Sequence, residues 1–199
     1  MAELTVEEVD ILGEIANISL GNAATTLSMM VNHKVHITTP NIKLINRSEA
    51  LDDYEETCIF VQIQYVQGLE GNNVFILKDQ DVLCLTNLMM GGSGMDVQGT
   101  VGDLELSAAS EAMNQMMGTS ATSMATMLER SVDISTPQVN HIDVESVKIF
   151  EKMFETFQEK FVKIAFKLEI EGLIDSTMVQ LYPVSFAKDM CEAFRSKGN

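Results

Sequence analysis

Asp10, Glu14, Asn17 and Pro40 recur 97 positions further along as Ser107, Glu111, Asn114 and Pro137. On an α-helix each residue turns about 100°, so positions i, i+4 and i+7 fall within about 60° of one another. Each set therefore makes one line of acid and amide along a helix, continued by Gly21 in the first copy and Gly118 in the second. Such a line is poorly equipped for chemistry of its own. No His, Cys or Lys stands beside it as nucleophile or base, and one carboxylate with one amide leaves too few ligands for a metal ion. An amide can hold a water in line with a phosphoryl group, as glutamine does in GTP-hydrolysing switches. A glutamate can pair with a cation on a docked partner, and glycine at the end of the line lets another molecule come close. The chemistry on offer is to complete a hydrolysis whose metal and phosphate belong to another protein, where positioning alone lowers the barrier. The plain alternative is a solvated Glu14 and an Asn17 bonded to a nearby loop, which suffices for one copy. Repetition in register, prolines included, favours function.

The elements that must carry these lines also repeat. Thr5 is placed to cap a helix with Glu7 and Glu8 in its first turn, where the helix dipole favours carboxylates. Val9, Leu12, Ala16, Leu20, Ala23, Leu27 and Met30 follow at helical spacing as one apolar stripe to about Asn32. Val35, Ile37 and Thr39 alternate as a strand with Pro40 at its edge or end. A polar loop from Ser48 to Thr57 leads to a strand over Cys58–Val66. A turn over Gly68–Asn73 returns the chain as Val74–Leu77, and Asp79 caps a helix through Met90. Gly91-Gly92-Ser93-Gly94 opens a flexible connector to about Gly102. The same order then returns: helix Asp103–Glu129 with Met113, Met117, Met124 and Leu128 inward, strand Val132–Thr136 ending at Pro137, and a helix or loop at Lys148–Glu159 peculiar to this half. Strand Phe161–Glu171, turn Gly172–Thr177, strand Met178–Leu181 and helix Ser185–Ser196 complete it. The expected fold is α+β: a duplicated helix–strand–hairpin–helix unit with a pseudo-two-fold, its antiparallel strands pooled and its long motif helices packed on them. Residues 1–199 are read as one domain of two homologous halves, about 1–95 and 100–199.

Composition narrows the partners. A formal net charge of −16 disfavours nucleic acid and anionic membrane surfaces, both of which need Lys and Arg clusters. A hydrophobic content of 46% belongs to a globular chain with a real core. No apolar run approaches the roughly 18 residues that span a bilayer, so no membrane insertion is expected. The acidic N-terminus has none of the features of a signal peptide, and a cytoplasmic location is the simplest reading. Cys58, Cys84 and Cys191 are widely spaced, odd in number and read as buried small hydrophobes. His33 and His36 straddle a helix end and a strand start, with no third ligand near, and are not read as a metal site.

The doubled [DS]-x3-E-x2-N-x22-P pattern, complete in both copies, resembles the CheC/CheX/FliY family of phosphatases for the chemotaxis response regulator CheY. The segment Glu14–Pro40, with its Lys-Val-His-Ile-Thr-Thr-Pro ending, resembles most the middle domain of the family's FliY branch at the flagellar motor switch. The resemblance implies dephosphorylation of the CheY phosphoaspartate at two pseudo-symmetric sites. Asn17 and Asn114 would orient the attacking water, and Glu14 and Glu111 would pair with a CheY lysine. Asp10 and Ser107 fill the first motif position without an assigned role, and Pro40 and Pro137 are read as structural. No cofactor is implied in this chain; magnesium would belong to the bound CheY. Implied partners are phosphorylated CheY, flagellar switch proteins and, in CheC-type proteins, a CheD-type deamidase, with a place at the cytoplasmic face of the flagellar basal body. Ala16 and Met113 stand where the family often has glycine. A complete FliY would carry further segments on either side, so the chain is read as the catalytic core of one. The alternatives are a free-standing CheC-type phosphatase and a non-catalytic CheY-binding module.

Overall fold

The first helix sets the scale of the fold. In the computed structural model, which describes residues 3–54, 56–144 and 160–197, helix α1 runs Val6–Val31. Its start is fixed by a reciprocal capping box: Glu8 N–H donates to Thr5 Oγ1 (3.1 Å) and Thr5 N–H donates to Glu8 Oε1 (3.0 Å). It ends at Asn32, whose left-handed backbone (φ 53°, ψ 36°) is one that asparagine adopts more readily than most residues. Strand β1 (Val35–Asn46), a 3-10 turn (Arg47–Glu49), β2 (Thr57–Gln67), β3 (Gly71–Lys78) and helix α2 (Asp79–Met89) follow. The second series is α3 (Asp103–Leu128), β4 (Asp133–Ile134), β5 (Gln138–Asp143), β6 (Lys160–Ile170), β7 (Ile174–Pro183) and α4 (Val184–Arg195). This is the α+β order expected from the repeat.

All strand pairs are antiparallel, in the order β1-β6-β7-β3-β2, with β4 and then β5 along the outer side of β2. The pseudo-two-fold passes between β3 and β7. Each hairpin stays with its own half, but the first strand of each half crosses over. β1 edges the second hairpin through β6, and β4 with β5 edges the first through β2. The helices lie on one face of the sheet. Leu12, Ile15 and Leu27 of α1 and Met117 and Met124 of α3 are buried there against Ile59, Val61, Phe75, Ile164 and Phe166. On the other face Phe60, Ile76, Phe161 and Leu181 are covered by Ala50 and Tyr54, whose hydroxyl donates to the Ile76 carbonyl at 2.7 Å. Each such fully buried side chain contributes about 1.5–3 kcal/mol of transfer free energy.

Several boundaries differ from the sequence reading, each for a physical reason. Of the two places allowed for Pro40, an edge strand or a strand end, it takes the first: β1 runs through it to Asn46 at the edge of the sheet. Thr38 faces Lys167 while Asn41 faces Ala165, so β1 spends three steps on two of β6. That bulge, on an edge strand, accommodates a residue with no N–H to donate. The second copy has the same irregularity at the same place. Ile134 faces Tyr65 and Gln138 faces Gln62, with Pro137 between, so the strand expected over Val132–Thr136 is two short pieces, β4 and β5. Asp79 is the first helical residue of α2 and not its cap, which is Lys78. The Asp79 carboxylate is instead taken by the Thr57 hydroxyl and His141 Nε2. The turns are shorter than their composition suggests: Gly71–Asn73 belongs to β3 and Ile174–Thr177 to β7, where Lys167 reaches Asp175 across the strands (3.5 Å). In the first hairpin, Gly68 (φ +83°) has no room for a side chain, since a Cβ would sit 2.1 Å from the Ser131 carbonyl oxygen. The connector is tied down: Gly94 N–H donates to Asn87 Oδ1 (2.8 Å) and Gln80 Nε2 to the Val97 carbonyl (3.0 Å). The element expected at Lys148–Glu159 lies outside the described residues. No helix among the described residues is long and apolar enough to cross a membrane.

Candidate functional site

Both motif lines face solvent. Asp10, Glu14, Asn17 and Gly21 are all exposed on α1, as are Ser107, Glu111, Asn114 and Gly118 on α3, while Leu12, Ile15, Ala16 and Leu20 turn inward. Among the described residues, the side chains of Asp10, Glu14, Asn17, Ser107 and Asn114 make no hydrogen bond or ion pair within the chain. Glu111 does: Gln115 Nε2 donates to its Oε1 at 2.6 Å. Asn17 is thus not bonded to a neighbouring loop, and the amides are free to meet another molecule. Neither α1 nor α3 contains a Lys or Arg, so both lines present acid without a cation of their own. A Cβ added to Gly21 or Gly118 would meet nothing within 4 Å. Nothing among the described residues accounts for glycine there, although mid-helix glycine costs about 1 kcal/mol relative to alanine.

The lines are rigidly mounted. At its N-terminal end α1 is stapled to α4: Lys188 Nζ donates to Glu8 Oε1 (2.6 Å) and Arg195 Nε to Glu7 Oε1 (2.6 Å). The Lys188 ammonium holds the buried Glu8 carboxyl below the ordinary carboxylate range; burial works against it, and the bonds from Thr5 work with it. Beneath the motif the chain rests on β1. Before the bulge Val35 and Ile37 face the helices; after it Ile42 and Leu44 do, while Ile45 turns to the opposite face. A Cβ on Gly13 would sit 3.6 Å from Ile42 Cδ1, so this strand supports the motif backbone. In the second copy Val132 and Ile134, then Val139, face the helices, and Ile142 faces away. Pro40 and Pro137 therefore mark the slip that puts an apolar residue under each line. Ala16 and Met113, the residues before the asparagines, are buried in the core and do not alter the exposed face.

Sequence reasoning missed the seam between the two helices. Asn22 Nδ2 donates to Ser123 Oγ (2.7 Å), and the hydroxyls of Thr26 and Thr119 share a hydrogen bond (2.7 Å). These pairs exchange under the 97-residue offset, so α1 and α3 run antiparallel about the pseudo-two-fold, which passes near Ala24 and Ala121. At 1.5 Å per residue each asparagine lies about 10 Å from the axis, in opposite directions, and the two are about 20 Å apart along the helices. The signal was present in the sequence as polar residues at 22, 26, 119 and 123 along the margin of each apolar stripe, but only the antiparallel crossing pairs them. Among the described residues no group of three or more His, Cys, Asp or Glu is placed to hold a metal ion.

A model of the CheC-like family matches residues 7–44 and again 104–141, the same 97-residue offset. The chain is 42% identical over 188 residues to the flagellar motor switch phosphatase FliY of Bacillus subtilis (strain 168), a match covering 94% of this chain and 49% of that one. It is 26% identical over 158 residues to the CheY-P phosphatase CheC of the same organism, covering 76% of this chain and 74% of that one. The crystal structure of Thermotoga maritima FliY superposes with a TM-score of 0.91 at 37% identity, covering 98% of each chain. The chain spans about half the length of the Bacillus FliY that it matches.

Proposed function

The chain belongs to the CheC-like family, and from that premise we propose that it hydrolyses the phosphoaspartate of a CheY-type response regulator at two sites, one on α1 and one on α3. Water attacks phosphorus, the bond to the aspartyl oxygen breaks, and inorganic phosphate leaves with the free carboxylate behind. Asn17 or Asn114 holds the water in line through its side-chain amide, and Glu14 or Glu111 pairs with a lysine beside the phosphoaspartate. The magnesium that supports phosphoryl chemistry belongs to the regulator. The observation that carries this reading is the pair of exposed Asp/Ser–Glu–Asn–Gly lines, in register and with amides unpartnered among the described residues, on two helices that pack about a pseudo-two-fold. An asparagine on a rigid helix supplies positioning and little else, and positioning is what an acyl phosphate already primed by its own protein lacks.

The test is phosphate release from phosphorylated CheY by the chain with Asn17→Ala, Asn114→Ala and both. Each single variant keeps the activity of its remaining site, and the double variant falls to the regulator's own rate. A double variant as fast as the unaltered chain refutes the mechanism. A non-catalytic docking module would bind phosphorylated CheY without changing its lifetime. The likeness to FliY supports action at the flagellar motor switch, on the cytoplasmic face of the basal body, and co-purification with switch proteins tests that location.

A further inference from the structure

The two lines repeat, but the residue four positions beyond each glutamate does not. On α3 it is Gln115, whose amide holds Glu111 at 2.6 Å. On α1 it is Ile18, 42% exposed, and Glu14 has no partner among the described residues. Three turns further along the same flank the copies differ in the same sense. Met29 on α1 is 74% exposed, whereas its counterpart Thr126 folds its hydroxyl back to the Thr122 carbonyl at 3.2 Å. Residues four apart on a helix are neighbours, so the bond between Gln115 and Glu111 needs no backbone adjustment. It also differs from an ion pair in what it leaves available. A neutral amide occupies one carboxylate oxygen without cancelling the charge, and the other oxygen stays free for an incoming cation. What it removes is rotamer freedom, which a long acidic side chain must otherwise lose on docking.

We propose that Gln115 is a positioning residue that aligns Glu111 in advance, so that the α3 site docks its phosphorylated regulator more tightly than the α1 site. There Ile18 leaves Glu14 to be ordered by the encounter itself. The inference rests on the reading of the two lines as CheY-docking sites.

Asn17→Ala leaves only the α3 site and Asn114→Ala only the α1 site, so each can be measured alone. In the Asn17→Ala background Gln115→Ala raises KM roughly three- to tenfold, the size of ordering one long side chain, with little change in kcat. In the Asn114→Ala background Ile18→Gln lowers KM in the same proportion. Gln115→Ala has no further effect once Glu111→Ala is present, because it acts only through that carboxylate. With Glu14→Ala or Glu111→Ala in place of the asparagine changes, so that one docking site remains, titration with CheY loaded with beryllium fluoride gives the same shifts in Kd. The inference is overturned if Gln115→Ala leaves KM and Kd unchanged, lowers kcat alone, or acts equally with Glu111 absent. Failure of the underlying reading looks different: the unaltered chain then releases no phosphate and does not bind the loaded regulator.

Discussion

Gly21 and Gly118 separate what the fold needs from what docking needs. Each lies inside a 26-residue helix, faces solvent and has an ordinary helical φ, and a Cβ there would meet nothing within 4 Å. For folding alone, alanine is the better residue at both positions, by about 0.5–1 kcal/mol each through helix propensity and lost freedom of the unfolded chain. The two effects add, since neither methyl touches another group, giving about 1–2 kcal/mol for the pair. For a chain of this size each substitution raises Tm by roughly 1–4 °C. Docking has the opposite requirement. If the regulator's backbone lies against the helix at the end of each line, an added methyl overpacks the contact by about 1–3 kcal/mol. At 1.4 kcal/mol per factor of ten, that lowers kcat/KM roughly 5- to 140-fold. Urea unfolding and phosphate release measured on Gly21→Ala, Gly118→Ala and the pair decide the matter. With Asn17→Ala already present, Gly118→Ala is damaging and Gly21→Ala silent. A chain that gains stability and keeps its full kcat/KM refutes close approach as the reason for these glycines. A chain that loses stability refutes the open helix face.

Other consequences are simpler. The Glu8 carboxyl is held below its unfolded value of about 4.3 by Lys188, so its contribution is complete above that pH and is lost as pH falls through the lower folded value. The difference in urea midpoint between the unaltered chain and Glu8→Gln therefore shrinks between pH 6 and pH 3. Burial pushes the Cys191 thiol up to about 11 and the Cys58 thiol up to about 12, and raises that of Cys84 as well. All three are buried, so a thiol reagent at pH 8 labels the folded chain far more slowly than the unfolded one. A double-mutant cycle on Thr26→Val and Thr119→Val returns a coupling of about 0.5–1.5 kcal/mol for the hydroxyl pair at the pseudo-two-fold.

What could be read in advance was local. Thr5 with Glu8, the apolar stripe from Leu12 to Leu27 and the exposed spacing of Glu14 and Asn17 depend on residues within a turn or two of each other, and helix periodicity displays them directly. The hairpins were legible for the same reason. The strand exchange was not: β1 seeks β6 more than a hundred residues away, and its composition is equally suited to any neighbouring edge. The bulges were hidden because a one-residue slip leaves no local mark beyond a proline. Asp79 misled because its usual capping role was displaced by Thr57 and His141, both distant in sequence. Gln115 gave no signal because an exposed glutamine is commonplace until its bond to Glu111, four residues earlier, is seen.

The exchange of first strands explains why a motif line and a proline more than twenty residues away belong to one device. Side chains alternate along a strand, so shifting by one residue sends every following side chain to the other face. Without the slip at Pro40, Ile42 and Leu44 would leave the helices and Ile45 would enter beneath them. The floor under Gly13 would then change while the line itself stayed intact. The same holds for Pro137 with Val139 and Ile142. Because β1 completes the second hairpin and β5 the first, each floor is also part of the other half's sheet. The two lines are therefore held in one relation by shared strands, by the Glu8–Lys188 staple between α1 and α4, and by the hydroxyl seam at the axis. Neither half owns a complete sheet edge or a complete helix layer. The duplicated unit presents its two motif lines in one fixed relation only because neither unit is finished alone.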